Sequence, residues 1–220
     1  VSADLCPDHF DFTSTTTKIF HVGLPGIHKK MDGAWHDSAN GWQAVLKKAR
    51  AAGLQTNFEL ITIEAKRLSD IITPCLPHLD LLVLNDYEIG ALADQTTTRL
   101  GGETDIAAVK EAARKIIHKG SMKVVVVHFP RAAFAITREG DELMVPSVHI
   151  PQAEVKGANG AGDAFAAGFL YGYHEAWSIE KSVRLGHASA ATSLRHVSTV
   201  LGVERWQDCF ALADRWGWRE

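Results

Sequence analysis

A run of small residues that ends in a carboxylate is the part of this chain best suited to chemistry. Gly160, Ala161 and Gly162 precede Asp163, and the following residues are typical of a closely packed helix. Small residues at a helix start leave backbone N–H groups uncovered, where the helix dipole adds partial positive charge. Such a site stabilises a phosphoryl group, and a carboxylate beside it takes a proton from an attacking hydroxyl. The residues alone leave open a second interpretation, a glycine-rich turn whose aspartate only caps the helix.

The elements that must position this segment alternate between strands and helices. β-rich and apolar runs predict strands at residues 19–22, 56–60, 81–84 and 124–127. Helical spacing of apolar residues predicts one helix around residues 42–49, ending at Gly53, and another over residues 106–117, capped by Asp105 and ending at Gly120.

The last third of the chain contains a hairpin followed by helices. Residues 134–137 and 142–145 flank a polar turn, and helices are predicted over residues 163–173, 179–195 and 203–216. Strands alternating with helices indicate an α/β fold in which a mostly parallel sheet carries helices on both faces, a three-layer α/β/α arrangement. We expect residues 1–220 to form a single domain of this type.

Composition excludes several classes of protein. A net charge of −3 leaves no electrostatic footprint for nucleic acid or an anionic membrane, and no apolar run approaches the ~20 residues that span a bilayer. The first residues lack the features of a signal peptide. Cys6, Cys75 and Cys209 are far apart and form no CxxC pair, so we expect no disulfide framework, no thiolate zinc site and a cytoplasmic location. The eleven histidines form no zinc-hydrolase motif.

Residues 159–165, with the sequence Asn-Gly-Ala-Gly-Asp-Ala-Phe, resemble the C-terminal signature of the ribokinase-like (PfkB) carbohydrate kinases. The resemblance covers nearly all of the chain from Ile19 onward and implies a ribokinase-like fold and an ATP-dependent phosphotransferase that uses Mg²⁺. In that family the Gly-Ala-Gly backbone forms an anion hole and the next aspartate deprotonates the substrate hydroxyl. The resemblance therefore assigns the anion hole to Gly160, Ala161 and Gly162 and the catalytic base to Asp163.

A second element, Asn85-Asp86-Tyr87-Glu88, resembles the family's Asn-x-x-Glu motif. In the family this pair helps to place Mg²⁺ and phosphate oxygens, largely through water, so the resemblance assigns the metal site to Asn85 and Glu88. Taken alone, the same two residues are better explained as a helix capping box. Their place after a predicted buried strand, ahead of the Gly-Ala-Gly-Asp segment, favours the metal-binding interpretation.

The resemblance also predicts the nucleotide contacts. The adenine would lie between the turn after residue 127 and the helix near His187 and Ala191, with Asn159 and Arg131 as further contacts. Arg131 would supply a charged fork for phosphate, although a solvent-facing role suits it equally. For His187 the alternative role is that of a polar residue on a small-residue helix.

Three departures from the family pattern indicate a divergent subfamily. Gly157-Ala158 stands where the family has Asp-Thr, a pair that helps to form a monovalent cation site, so the resemblance gives no support for K⁺ activation. The family's glycine-rich turn near the nucleotide is replaced by residues 128–133, and His187 stands where many members have asparagine. The family's first strands, its Gly-Gly element and its β-sheet lid are not found, and we expect an N-terminal truncation.

Two functions remain as hypotheses. The first is a kinase that phosphorylates a hydroxyl of a sugar or a nucleoside-like small molecule; the second is a non-catalytic nucleotide- or sugar-binding module with the same fold. A dinucleotide-dependent oxidoreductase is disfavoured because the chain lacks Gly-x-Gly-x-x-Gly. A homodimer remains open, and Trp216 and Trp218 are expected to cover an exposed edge or a subunit contact.

Overall fold

The computed structural model describes residues 4–220. Within them the chain forms six β-strands: β1 (Ile19–Val22), β2 (Gln55–Phe58), β3 (Leu81–Asn85), β4 (Val124–Phe129), β5 (Ala132–Thr137) and β6 (Glu142–Pro146). Its eight α-helices are α1 (Lys29–Asp32), α2 (Gly41–Ala51), α3 (Ala65–Ile72), α4 (Asp86–Ala93), α5 (Ile106–Ile117), α6 (Ala161–His174), α7 (Ile179–Ser193) and α8 (Trp206–Trp216). No described helix combines the length and the apolar character needed to cross a bilayer.

Most predicted elements are confirmed with small shifts at their ends. The first strand has the predicted bounds, whereas β2 begins earlier and ends at Phe58, so that Glu59 lies just beyond it. The last helix begins at Trp206 rather than at residue 203. Helix α3 was not predicted: its apolar face consists of Leu68, Ile71 and Ile72 only, too short a pattern to stand out before the proline-containing segment that follows.

The strands form two sheets. β1 and β2 pair in parallel, with Ile19 opposite Gln55 and Val22 opposite Phe58. The other four strands lie in the order β3-β4-β5-β6. Only two residues join β4 to β5, a connection that antiparallel strands allow and parallel strands do not. The sheet is therefore mixed, because the three-layer α/β arrangement includes hairpins formed by β4, β5 and β6.

The chain packs as two compact units. The first comprises the described residues up to Val127 together with Ile136–Asp141, and the second comprises His128–Ala135 and Glu142–Glu220. In the first, Trp42 of α2 is fully buried against Phe58, with ring centroids 5.2 Å apart. The buried Asp80 accepts hydrogen bonds from the Thr56 backbone and hydroxyl at 3.0 and 3.1 Å, which holds β2 to the start of β3.

In the second unit, α6 and α7 approach closely at glycines. A methyl group at Gly168 would lie 2.7 Å from the Leu185 carbonyl oxygen, and one at Gly172 would lie 2.7 Å from the Ser182 hydroxyl. Helix α8 also packs against α7, and Trp216 and Trp218 pack against the buried cluster of Val148, Leu185, Ala188, Ala191, Cys209 and Ala213. The two tryptophans are thus used for packing within the chain. Tight glycine contacts fix the helix whose start carries the Gly-Ala-Gly-Asp segment.

Candidate active site

The start of α6 depends on a glycine in the left-handed region. Gly160 is the N-cap residue with φ +79°, a conformation that L-residues adopt only at a cost. A methyl group there would also lie 2.9 Å from both Cβ and the carbonyl oxygen of Thr199. Any other residue would therefore displace the turn that leads into α6.

The N-terminus of α6 is left without a side-chain cap. Helices α2, α3, α4, α5 and α7 each begin with an N-cap side chain that accepts backbone N–H groups, whereas Gly160 has none to offer. The Ala161 N–H donates to the Ala158 carbonyl at 3.3 Å. The N–H groups of Gly162 and Asp163 belong to the first turn, which has no intrahelical acceptors. Of the predicted anion-hole residues, Gly162 thus presents a donor, and the Asp163 N–H adds another.

Asp163 is the third residue of α6. Its side chain is exposed, and no hydrogen bond or ion pair to another described residue is formed by its carboxylate. An aspartate that capped its own helix would have a side-chain oxygen accepting backbone N–H groups, as Asp105 does at the start of α5. The carboxylate instead keeps its lone pairs available beside uncovered N–H groups, as a base acting on a hydroxyl requires.

The loop that precedes α6 is held by the segment after α7. The N–H groups of Lys156 and Gly157 both donate to the Leu194 carbonyl, at 2.8 and 3.3 Å. A methyl group at Gly157 would lie 3.2 Å from the His196 carbonyl oxygen, so a larger side chain would require the segment to shift. Glycine in place of the family's aspartate is therefore matched by a close backbone approach, while Asn159 is exposed at the tip of this loop.

The turn between β4 and β5 is shorter than predicted. His128 and Phe129 extend β4, and residues 132 and 133 begin β5, so that the predicted turn over residues 128–133 consists of Pro130 and Arg131 alone. The turn is short because β4 and β5 pair with each other up to Phe129 and from Ala132, which leaves only two residues outside the strands. The Arg131 side chain is exposed, and its carbonyl accepts the Ser147 N–H at 2.9 Å.

The predicted nucleotide contacts on α7 are engaged in packing. Burial lowers the pKa of His187 to about 3, so the ring is neutral at pH 7, and its Nε2 lies 3.2 Å from the Val145 carbonyl oxygen. Ala191 is 5% exposed and belongs to the cluster beneath α8. Both residues therefore have structural roles, and a nucleotide contact by either stays a prediction.

In the first unit, Asn85 and Glu88 form the capping box that the residues by themselves suggested. The Asn85 Oδ1 accepts the Glu88 N–H at 2.9 Å, and the Glu88 Oε2 accepts the Asn85 N–H at 3.0 Å. Glu88 is 5% exposed, and burial, with further contributions from the charges of Glu59 and Asp86, raises its pKa to about 7. A buried carboxyl group with a raised pKa suits a nearby cation, because the cation would stabilise its ionised form.

A polar cluster beside this box was not predicted. Glu59 follows β2, and its Oε2 lies 3.3 Å from the His21 Nε2, although the two atoms are not aligned for a hydrogen bond. The Asn57 Nδ2 lies 2.8 Å from the other ring nitrogen of His21. The Oδ1 of Asn57 and the Oε2 of Glu59 are buried without hydrogen-bond partners among the described residues. The sequence signal was a polar residue at the carboxyl end of each of two adjacent parallel strands, where ligands bind in α/β sheets.

These oxygens suit a hard divalent cation. Within residues 4–220, no three His, Cys, Asp or Glu side chains lie close enough to hold a metal ion directly. Mg²⁺ retains several water ligands and takes carboxylate or amide oxygens, so two carboxylates at a site are sufficient. The buried, unpartnered oxygens of Asn57 and Glu59, together with the buried Glu88, fit that requirement.

Comparison with known proteins places these features in a family. The model of the pfkB family of carbohydrate kinases matches residues 32–206 of this chain. The chain is 26% identical to adenosine kinase of Saccharomyces cerevisiae over 200 residues, covering 87% of this chain and 54% of that protein. It is also 26% identical to adenosine kinase of Schizosaccharomyces pombe over 132 residues, covering 60% of this chain and 38% of that protein. The chain thus spans about half the length of the curated relatives it matches, or less.

Solved structures share the fold at low sequence identity. Ribokinase from Thermotoga maritima has a TM-score of 0.67 at 18% identity, covering 96% of this chain and 62% of that one. Adenosine kinase from Sinorhizobium meliloti has a TM-score of 0.66 at 20% identity, covering 90% and 55%. The fold is ribokinase-like, and the chain belongs to the PfkB family of carbohydrate kinases.

Proposed function

We propose that this chain carries phosphoryl-transfer machinery of an ATP-dependent kinase whose acceptor is a hydroxyl of a sugar or a nucleoside-like small molecule. The observation that carries the proposal is the start of α6, where uncovered N–H groups lie beside the exposed, unpartnered carboxylate of Asp163. Family membership and relatives described as adenosine kinases support the same class of reaction.

In the proposed reaction the substrate hydroxyl oxygen attacks the γ-phosphorus of ATP. The new P–O bond forms as the bond to the β-phosphate oxygen breaks, and ADP leaves with that electron pair. The hydroxyl proton passes to the carboxylate of Asp163. The N–H groups of Gly162 and Asp163, with the turn at Gly160 and Ala161, hold the charge that spreads over the transferring phosphoryl oxygens.

Mg²⁺ is the cofactor proposed for the first unit, where it would offset the negative charge of the nucleotide phosphates. Asn85 and Glu88 would hold it largely through water, and we add Glu59 to this set because its buried Oε2 lacks a hydrogen-bond partner among the described residues. Asn159, Arg131, His187 and Ala191 remain the proposed nucleotide contacts. These four residues are proposed on the basis of the family resemblance.

The test of this proposal is the variant Asp163→Asn, assayed for ADP release with Mg²⁺ and a panel of adenosine, cytidine, ribose and fructose 6-phosphate. We expect turnover to fall by at least about 10²-fold because the base is lost, while ATP binding stays within a few-fold of wild type. Asp208→Asn is the matched control: Asp208 is also the exposed third residue of a helix without a side-chain cap, α8, and should leave turnover unchanged.

The alternative, a non-catalytic binding module, is motivated by Gly157-Ala158, which replaces the family's Asp-Thr pair ahead of the anion hole. It predicts that the wild-type chain binds ATP and releases no ADP with any acceptor. Turnover by the wild type that survives Asp163→Asn would instead retain the enzyme and remove Asp163 as its base.

A further inference from the structure

His128 is a polar residue at the carboxyl end of an otherwise apolar strand. It follows the four buried valines of β4 and is the one residue of that strand that is not fully buried. A half-buried polar side chain at the carboxyl end of a sheet strand lies where ligands bind in α/β folds.

The His128 ring lies against the first turn of α6. A methyl group at Gly162 would lie 3.3 Å from the His128 Cε1 and 3.7 Å from its Nε2, so the glycine makes room for this edge of the imidazole. The ring also packs against Phe165, about one turn further along α6, with centroids 4.8 Å apart at 35°. The Cε1–Nε2 edge of the ring thus lies beside Gly162, whose N–H group belongs to the first turn of α6.

The ring is neutral at physiological pH. Burial lowers the pKa of His128 to about 4, and the positive end of the α6 dipole acts in the same direction. A neutral imidazole carries one N–H donor and one acceptor nitrogen. A neutral histidine at a helix N-terminus that donates a hydrogen bond to a developing oxyanion is an established catalytic arrangement.

The two histidines that flank Phe165 differ in their partners. The Nε2 of His187 already lies within hydrogen-bonding distance of the Val145 carbonyl oxygen. No hydrogen bond from either ring nitrogen of His128 to another described residue is found, and its contact is the one with Phe165. The ring nitrogens of the half-buried His128 are therefore open to a ligand or to water.

We propose that His128 donates a hydrogen bond from its neutral ring to a phosphoryl oxygen held at the start of α6, and so binds the group that is transferred. This inference deepens the proposed kinase function and rests on it. The alternative is that the ring only packs against Phe165 and closes the gap above Gly162.

The experiment compares His128→Phe with His128→Gln in the full chain. Phenylalanine keeps a ring against Phe165 without a donor, whereas glutamine keeps an amide N–H near the position of Nε2. We expect kcat/KM to fall roughly ten- to hundred-fold in His128→Phe and to recover in part in His128→Gln. His174→Phe, which replaces an exposed histidine at the far end of the same helix, is the matched control and should behave as wild type. Equal losses in both His128 variants would indicate packing alone and overturn the proposal.

A second measurement needs no variant. In the wild-type chain labelled with ¹⁵N at the backbone amides and the histidine rings, we expect the His128 ring resonances to shift with MgATP and with inorganic phosphate, and to stay in place with adenosine. If the amides of Gly162 and Asp163 shift with MgATP while the His128 ring does not, the proposal is wrong and the kinase function is unaffected. If the ring shifts but no acceptor is phosphorylated, His128 binds phosphate and the kinase function fails.

Discussion

At the scale of single residues, Glu88 is a buried carboxyl group with a perturbed pKa. Its carboxyl group completes the capping box of α4, yet burial and the neighbouring charges of Glu59 and Asp86 raise its pKa from 4.5 to about 7. Between these two values the folded chain binds a proton that the unfolded chain has lost. The contribution of Glu88 to the free energy of unfolding therefore falls as the pH rises from about 4.5 to 7.

The first prediction concerns Glu88→Gln in metal-free buffer. Glutamine can still accept the Asn85 N–H but never ionises, so we expect the variant to unfold like the wild type at pH 4 and to be more stable by about 1–3 kcal/mol at pH 7 to 8. Urea unfolding across this range measures the difference. Glu111→Gln, on an exposed face of α5, is the control and should show no such divergence. A constant difference between wild type and Glu88→Gln at every pH would mean that the carboxyl group titrates normally.

Asp163 contrasts with Glu88 at the same scale. Both are acidic residues at the third position of a helix, but Glu88 is buried and bonded to its own N-cap, while Asp163 is exposed beside a glycine that has no side chain. Glu88 stabilises its helix, whereas the carboxylate of Asp163 is left available to act on a substrate. The expected collapse of turnover in Asp163→Asn, with Asp208→Asn unaffected, tests this difference.

At the scale of elements, the start of α6 depends on the loop that precedes it. The loop is tied to the Leu194 carbonyl, and the following segment is held by Arg195, which pairs with Glu154 at 3.5 Å and with Glu204 at 2.8 Å. Gly160 contacts Thr199 in that segment. The position of the uncovered N–H groups thus follows from packing between two loops as well as from α6 itself.

The second prediction compares Gly160→Ala with Gly53→Ala. The two glycines have nearly the same φ, +79° and +83°, but an added methyl group at Gly53 would meet no atom within 4 Å, whereas one at Gly160 would meet Thr199 at 2.9 Å. We expect about 1 kcal/mol of destabilisation for Gly53→Ala, from the backbone conformation, and roughly 2–4 kcal/mol for Gly160→Ala. Gly160→Ala should also lose turnover because its anion-hole donors move. Equal stability losses would show that the contact with Thr199 carries no cost.

At the scale of the whole molecule, the chain packs as two compact units. Asn85, Glu88 and Glu59 lie in the first, and the start of α6 and His128 lie in the second. A nucleotide that binds the folded chain must stabilise it by mass action, whichever residues it contacts. Thermal stability in the presence of nucleotide is therefore a measure of binding that is independent of the acceptor.

The third prediction is a thermal shift with MgATP. At a concentration of about 100 times Kd, the nucleotide should add roughly 2.7 kcal/mol to the free energy of unfolding and raise the midpoint temperature. Removing Mg²⁺ with a chelator should reduce the shift, since the carboxylates of Glu59 and Glu88 would then repel the phosphates. Asp163→Asn should keep the full shift. A midpoint that does not respond to millimolar MgATP would count against both the kinase and the nucleotide-binding module.

The sequence by itself determined the features that depend on neighbouring residues. Apolar periodicity predicted β1, α5 and the other long elements because helix and strand faces repeat over a few residues. The helix start at residues 160–163 and the capping box at Asn85 and Glu88 were visible for the same reason: their hydrogen bonds span three or four residues. Family membership followed from these short motifs.

Tertiary structure decided what depends on residues distant in the chain. Burial raises the pKa of Glu88, and the charge of Glu59, 29 positions away in the sequence, adds to the effect. His128 was predicted to lie in a turn, and only strand pairing and the space above Gly162 set its ring beside the start of α6. Gly157 departs from the family pattern for a similar reason, since the His196 backbone lies against it. Packing and electrostatics act through space, so these properties depend on neighbours that the local sequence does not contain.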